Sequence, residues 1–242
     1  MNLTITIMAG GNGKRMGSDI PKVLHLFKNI PILVRIIKES LKLSPFKIIV
    51  ITGQYDMLIQ DTLKKYILND NIVYVRQHNQ YGTGDAIKCT LDYYDNNERV
   101  LILNGDMPLI TYETLLQFIE EDISTKLLVA KLDNPFGYGR ILYNIDNEVI
   151  CIREEKDCSL TEKTLQIINV GIYMFDSKIL KEFIPLIDNN NNQKEYYLTD
   201  IIKIIKNNSD ISIKTYLIDE LKKHEILGVN TKEELINLEL NY

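Results

Sequence analysis

Leu3-Thr4-Ile5-Thr6-Ile7-Met8-Ala9-Gly10-Gly11-Asn12-Gly13-Lys14-Arg15-Met16-Gly17 is the stretch from which the fold can be read. Residues 3 to 8 are an apolar, β-branched run of strand length, and the glycines behind it end the strand in a turn. Glycine lets backbone N–H groups converge on an anion without side-chain obstruction, so this turn reads as a phosphate loop at the C-terminal edge of a first strand. Ligands bind at that edge in open α/β folds. The spacing is GGxGxxxG, which matches neither the dinucleotide fingerprint GxGxxG nor the P-loop GxxxxGK[ST]. Lys14 and Arg15 lie inside the loop and suit a triphosphate whose charge rises during reaction. Pro21-Lys22 adds a third cation, with the proline constraining the backbone just before the lysine.

Outward from that strand the same punctuation repeats. Apolar runs at Lys47 to Ile51, Ile72 to Arg76, Val100 to Leu103 and Leu127 to Lys131 read as strands. Between them Ile32 to Leu43 carries apolar residues at helical spacing, as does Tyr112 to Glu121 behind a Thr111 cap. Strand, crossover helix, strand predicts an α/β fold with a mostly parallel central sheet covered by helices on both faces. From about Asn134 the runs Gly139 to Asn144, Glu148 to Arg153 and Ile167 to Phe175 have short connections, which predicts a small antiparallel substrate lobe. Asp188 to Gln193 reads as a polar loop, and helices at Leu198 to Lys206 and Thr231 to Leu238 flank a strand at Ile211 to Leu217. We expect one domain over 1–242, with a nucleotide-binding part to about residue 133 and a sugar-binding part with closing helices beyond it.

At 242 residues, 45% hydrophobic and 25% charged, the chain can bury a core without a metal or disulfide staple. Its net charge of -5 argues against a nucleic-acid surface, because backbone phosphates need a basic face. Three cysteines without CxxC spacing fit reduced thiols. No apolar run has the length of a membrane span and Met1 leads directly into a strand, so the expected setting is the cytoplasm, that of a host cell if the source is a virus.

A second candidate site lies at Leu103-Asn104-Gly105-Asp106-Met107-Pro108, again at a strand end. A carboxylate there can hold Mg²⁺ on nucleotide phosphates, since Mg²⁺ takes one or two carboxylates plus substrate oxygens; Asp106 alone reads equally as a turn residue. Gln77 with Gly82-Thr83-Gly84 reads as a neutral polar loop able to address a base edge through amide hydrogen bonds, or simply as a loop. His25, His78 and His224 have no metal-ligand spacing.

These motifs together resemble the uridylyltransferase domain of the bifunctional bacterial enzymes that make UDP-N-acetylglucosamine. The resemblance runs through MAGGNGKRM at 8–16, PKVLH at 21–25, YGTGDA at 81–86, NGDMPLI at 104–110, GYGRI at 137–141, EEKD at 154–157, INVGIY at 168–173, EYYLTDII at 195–202 and GVN at 228–230. It implies a Rossmann-like nucleotidyltransferase fold in which Met8, Ala9, Gly10, Gly11, Gly13, Asn104 and Gly105 border the nucleotide, with Gln77, Gly82 and Thr83 near uracil. It implies further that Arg15 and Lys22 meet phosphates, that Gly139, Glu154 and Asn169 contact the sugar, and that Asp106 and Asn230 hold a catalytic Mg²⁺. Departures from the family pattern are Lys14 for threonine, Asn104 for tyrosine, Asp85 for histidine and Val170 for threonine. Asn104 and Val170 stand beside substrate positions and bear on sugar selectivity.

The implied reaction is uridylyl transfer from UTP to N-acetylglucosamine 1-phosphate with release of pyrophosphate, Arg15, Lys22 and Asp106 being the catalytic residues. An anionic phosphate nucleophile needs no general base, which agrees with the lack of a His or Cys dyad. The rivals are a nucleotidyltransferase for another NTP or sugar phosphate, and a non-catalytic nucleotide-sugar-binding homologue. The bifunctional relatives continue into hexapeptide repeats; here twelve residues follow Asn230, so no acetyltransferase activity is expected.

Overall fold

The structure, a computed structural model, describes residues 2–11, 13–69, 71–121 and 123–242, with the side chain of Lys14 left out. Asn12, part of the glycine loop, and the Lys14 side chain lie outside the described residues.

The chain opens with β1 (Asn2–Met8), a two-strand ribbon of β2 (Leu26–Phe27) and β3 (Ile30–Pro31), and α1 (Ile32–Leu41). Then come β4 (Lys47–Thr52), α2 (Asp56–Tyr66), β5 (Ile72–Arg76), α3 (Thr83–Lys88), β6 (Glu98–Asn104), α4 (Tyr112–Ile119) and β7 (Thr125–Lys131). The second part contains β8 (Arg140–Tyr143), β9 (Val149–Arg153), β10 (Ile167–Asp176), α5 (Ser177–Phe183), α6 (Asp200–Asn208), β11 (Lys214–Leu217) and α7 (Lys232–Asn241).

Among the described residues nine strands form one sheet, ordered β11-β7-β10-β6-β1-β4-β5 with the β8–β9 hairpin attached to β10. β1 pairs in parallel with both β4 and β6, β4 with β5 and β11 with β7, while β10 runs antiparallel between β6 and β7. The mostly parallel sheet expected from the sequence is therefore present, and β8, β9 and β10 supply the antiparallel piece.

Strand alternation explains the two apolar layers. On β6, Leu101 and Leu103 join one core while Val100 and Ile102 join the other; on β4, Ile48 and Val50 divide likewise from Ile49 and Ile51. Each fully buried aliphatic side chain is worth roughly 1.5–3 kcal/mol relative to exposure, so strands apolar on both faces belong at the centre. The threonines of β1 are polar, yet both are fully buried. Their hydroxyls are satisfied: Thr4 donates to Glu98 at 3.0 Å and Thr6 lies 2.8 Å from the Tyr94 hydroxyl. Burial of a hydroxyl is tolerated when it is bonded.

Helix ends follow their caps. Thr111 accepts from the Thr114 N–H to start α4, and Thr231 with Glu234 forms a reciprocal capping box at α7. α1 stops at Leu41 and not Leu43, since Ser44 turns into the left-handed region at φ 51°.

Several sequence expectations are corrected. Gly82-Thr83-Gly84 is not a free loop, because α3 starts at Thr83. The helix expected from Leu198 starts at Asp200, with Leu198 and Thr199 forming a turn ahead of it; the Leu198 N–H is bonded to the Thr83 hydroxyl at 3.0 Å. The strand expected from Ile211 begins at Lys214, where pairing with Lys126 of β7 begins; Ile213 is buried in the core ahead of the ladder.

Candidate active site

The C-terminal ends of β1 and β6 lie side by side, and the chain closes them tightly. Gly105 donates its N–H to the Met8 carbonyl at 3.0 Å, and a Cβ on Gly105 would stand 2.7 Å from that same oxygen, so only glycine permits the approach. Gly13, at φ 58°, sets the far end of the first loop against Lys22: a Cβ there would lie 2.9 Å from the Lys22 nitrogen. The glycine loop is thus folded back onto the Pro21-Lys22 turn, which presents the lysine to the end of β6.

There Lys22 Nζ forms an ion pair with Asp106 and donates to Asn230 Oδ1 at 3.1 Å. Arg15 Nη2 reaches the same Asn230 oxygen at 3.1 Å. Asn230 comes from far along the chain and is held by two backbone devices. Val229 donates to the Asp106 carbonyl at 2.9 Å, and the Glu234 carboxylate accepts the Asn230 N–H at 2.6 Å. The capping glutamate of α7 therefore also orients the asparagine. Asp106 and Asn230 present hard oxygen donors to one cation, here the Lys22 ammonium, and Gly228 leaves the carboxylate open, since even a Cβ would stay 3.5 Å away. That donor set fits Mg²⁺, which takes few protein oxygens and completes its shell with water and phosphate. Among the described residues no cluster of three or more His, Cys, Asp or Glu side chains could form an all-protein metal cage.

A cavity of about 790 Å³ opens from this cluster. Met8, Arg15, Thr83, Asn104 and Asp106 line it from the first half of the chain. Gly139, Glu154, Asn169, Val170 and Asn230 line it from the second. Its second wall is shaped by an irregularity in β10: the pairing with β7 shifts between Asn169 and Tyr173, at Gly171 with φ 85°. Bulges of this kind re-aim side chains beside sites. A Cβ on Gly171 would lie 2.3 Å from Asn104 Nδ2, so the bulge gives that asparagine its room. Asn169 is held by its own strand, donating to the Tyr173 hydroxyl at 2.7 Å and accepting from the Gly171 N–H at 3.3 Å. Glu154 accepts from the Thr199 hydroxyl at 2.8 Å. Burial pushes its carboxyl above the ordinary value, with Asp200, Asp157 and Glu195 adding repulsion against the partial relief from Thr199.

The third group stands outside that cavity, at the ends of β4 and β5. Gln77 is buried, its backbone N–H bonded to the Thr52 carbonyl at 2.8 Å. Gly10 faces it, a Cβ there standing 3.4 Å from Gln77 Oε1. Ala9, adjacent to Gly10, ties the loop to β4 through its N–H and the Ile51 carbonyl at 2.9 Å, while Gly11 has open space around it. Gly82, at φ 119°, packs on the 195–199 segment so closely that a Cβ would sit 2.4 Å from the Tyr196 oxygen.

The residues singled out from the sequence therefore fall into three adjoining groups: a cluster of cations and oxygen donors, a cavity wall with a carboxylate and an amide, and an amide pocket at the next strand ends. Sequence reasoning missed Thr199, which fixes Glu154, and Glu234, which fixes Asn230. The second was discoverable, since Thr231-Lys232-Glu233-Glu234 is a capping-box pattern.

A model of the MobA-like NTP transferase domain matches residues 5–143. A probable UDP-N-acetylglucosamine pyrophosphorylase of Acanthamoeba polyphaga mimivirus is 44% identical over 98% of this chain and 95% of its own length. The bifunctional protein GlmU of Nitratiruptor sp. is 40% identical over 99% of this chain but 54% of its own, so the chain spans about half the length of such relatives. A solved UDP-glucose pyrophosphorylase in complex with UDP-glucose superposes with a TM-score of 0.77 at 16% identity, over 100% of this chain and 98% of that one, which shows a shared fold.

Proposed function

The chain belongs to the family of MobA-like NTP transferase domains, and from that premise we propose that it transfers a uridylyl group from UTP to N-acetyl-α-D-glucosamine 1-phosphate, releasing pyrophosphate, in the cytoplasm. The observation that carries the reading is the convergence of Arg15 and Lys22 on Asp106 and Asn230 at the mouth of a cavity whose far wall holds Glu154 and Asn169. The close similarity to a probable UDP-N-acetylglucosamine pyrophosphorylase supports the choice of sugar and nucleotide.

The nucleophile is an anionic phosphate oxygen of the sugar phosphate, and it attacks the α-phosphorus of UTP as pyrophosphate leaves on the opposite side. No proton has to be removed first. The chain's work is therefore positioning and charge stabilisation. Lys22 and Arg15 turn from their present partners to the phosphates, and the Gly10 to Gly13 loop encloses the triphosphate. Asp106 and Asn230 would hold Mg²⁺, whose charge would offset that building on the phosphate oxygens. Such cation and donor terms are each worth roughly several kcal/mol at the transition state. Glu154 accepts hydrogen bonds from sugar hydroxyls, and Asn169 with Gly139 frames the ring. Binding UTP and the sugar phosphate side by side supplies most of the remaining acceleration by orientation.

Pyrophosphate release from each of four NTPs, paired with N-acetylglucosamine 1-phosphate and glucose 1-phosphate in Mg²⁺, tests the proposal. UTP with N-acetylglucosamine 1-phosphate is expected to be the best pair. No release above a no-enzyme control, or clear preference for another nucleotide, defeats it.

A further inference from the structure

Gln77 has a carboxamide whose two ends are chemically opposite, one donating and one accepting, and whichever end faces a base decides what that base must offer. Its orientation in this structure is dictated by its neighbours. Nε2 donates to Asp85 Oδ2 at 2.7 Å and to the Gly82 carbonyl at 3.1 Å. Both partners are acceptors only, a carboxylate and a backbone carbonyl, so a flipped amide would set its oxygen against two others. Oε1 is therefore turned the other way, toward the Gly10 backbone, and among the described residues nothing donates to it. Gln77 is only 5% exposed, so Nε2 cannot exchange its two acceptors freely for water.

Asp85 acts here through Gln77, whose amide N–H it accepts at 2.7 Å. It sits in the first turn of α3, and that helix is pinned through Gly84, whose N–H donates to the Tyr196 carbonyl at 2.7 Å. The carboxylate is thus held on a fixed element and in turn fixes the amide.

We propose that Asp85 is the positioning residue for base selectivity, locking the Gln77 carboxamide with its oxygen toward the nucleotide so that the site takes a pyrimidine carrying a ring N–H and refuses one whose ring nitrogen is an acceptor. Uracil offers that N–H at N3, whereas cytosine presents a lone pair there. This rests on the uridylyl-transfer reading, with the base lying at the ends of β4 and β5. A site built around a fixed hydrogen-bonding group rejects the mismatched partner strongly, because a buried polar group is then left facing its like. The departure at position 85 from the family's usual histidine thereby acquires a role: a carboxylate accepts only, and cannot donate to a flipped amide.

The test compares kcat/KM for UTP and CTP in the wild type, Asp85→Ala and Asp85→Asn, together with competition of UTP and CTP for a fluorescent nucleotide, which needs no turnover. In Asp85→Ala the UTP preference should fall by at least about tenfold, with the CTP value rising in absolute terms. Asp85→Asn, which keeps an acceptor in one of its two amide orientations, should fall between. Damage to the fold lowers both nucleotides together and cannot produce a gain with CTP. A wild type that prefers UTP while both variants keep its full preference, or lose activity with both nucleotides in proportion, overturns the role of Asp85 and leaves uridylyl transfer standing. A wild type that prefers CTP overturns both.

Discussion

The Lys22 ammonium lies on the Asp106 carboxylate across 84 residues of chain, so a cation from the Pro21-Lys22 turn fills the place between the metal donors proposed above. Asn230 Oδ1 shares the same ammonium at 3.1 Å. The free protein accordingly carries its own counter-ion at this site. A triphosphate that draws Lys22 away exposes the donors, and nucleotide and metal should bind as a coupled pair.

Removing that internal cation separates the two roles of the lysine. Lys22→Ala is expected to bind Mn²⁺ severalfold more tightly than the wild type in the absence of nucleotide, as read by the electron paramagnetic resonance signal of free Mn²⁺. Its kcat should fall more than its affinity for UTP. Unchanged Mn²⁺ binding would show that the ammonium does not compete for the donors.

Asp106→Asn keeps the shape of the side chain and removes its charge. We expect kcat at saturating Mg²⁺ to fall by about a hundredfold or more, the scale of losing one strong charge contact at the transition state. The residue stands at a strand end outside the apolar cores, so circular dichroism and the thermal midpoint should stay close to the wild type. Near-normal turnover would remove Asp106 from the metal site.

Gly82 and Gly137 are both left-handed, at φ 119° and 87°, but only Gly82 has a neighbour in the way. Gly82→Ala should lower stability by more than the ~1–3 kcal/mol of backbone strain alone, because its methyl meets the Tyr196 backbone. Gly137→Ala, with open space around it, should cost the strain only. Urea unfolding of the two variants gives the comparison, and equal losses would mean that the contact with Tyr196 yields.

Glu154 has a carboxyl raised chiefly by burial. The folded protein therefore keeps this proton at pH values where the unfolded chain has released it. Its contribution to stability falls as pH rises from the unfolded pKa through the raised folded one, and stays low above that. Glu154→Gln should flatten this part of the pH–stability curve and lift the thermal midpoint at neutral pH relative to acid pH. For activity the sign reverses: the ionised carboxylate accepts sugar hydroxyls, so wild-type KM for the sugar phosphate should rise as pH falls through the same range. A Gln variant whose KM keeps the wild-type pH dependence would show that another group is titrating.

Local pattern was enough for much of this molecule. The strand and glycine loop at 3–17, the runs that became β4, β5, β6 and β7, and the cap at Thr111 are all decided within a few residues by side-chain alternation, backbone freedom and local side-chain hydrogen bonding. The short helices α3 and α5 escaped, since six or seven residues complete too few turns to show a period. What tertiary structure alone decided is which local groups meet. Resemblance to a family suggested Asn230 as a ligand, but its place beside Asp106 depends on the Val229 N–H and the Glu234 carboxylate. The grip of Thr199 on Glu154, of Tyr196 on Gly82 and of Asp85 on Gln77 joins separate elements. Hydrogen bonds are short-ranged in space and indifferent to separation along the chain, so a linear pattern can propose their donors and acceptors, and only the packed sheet and helices bring each donor to its acceptor.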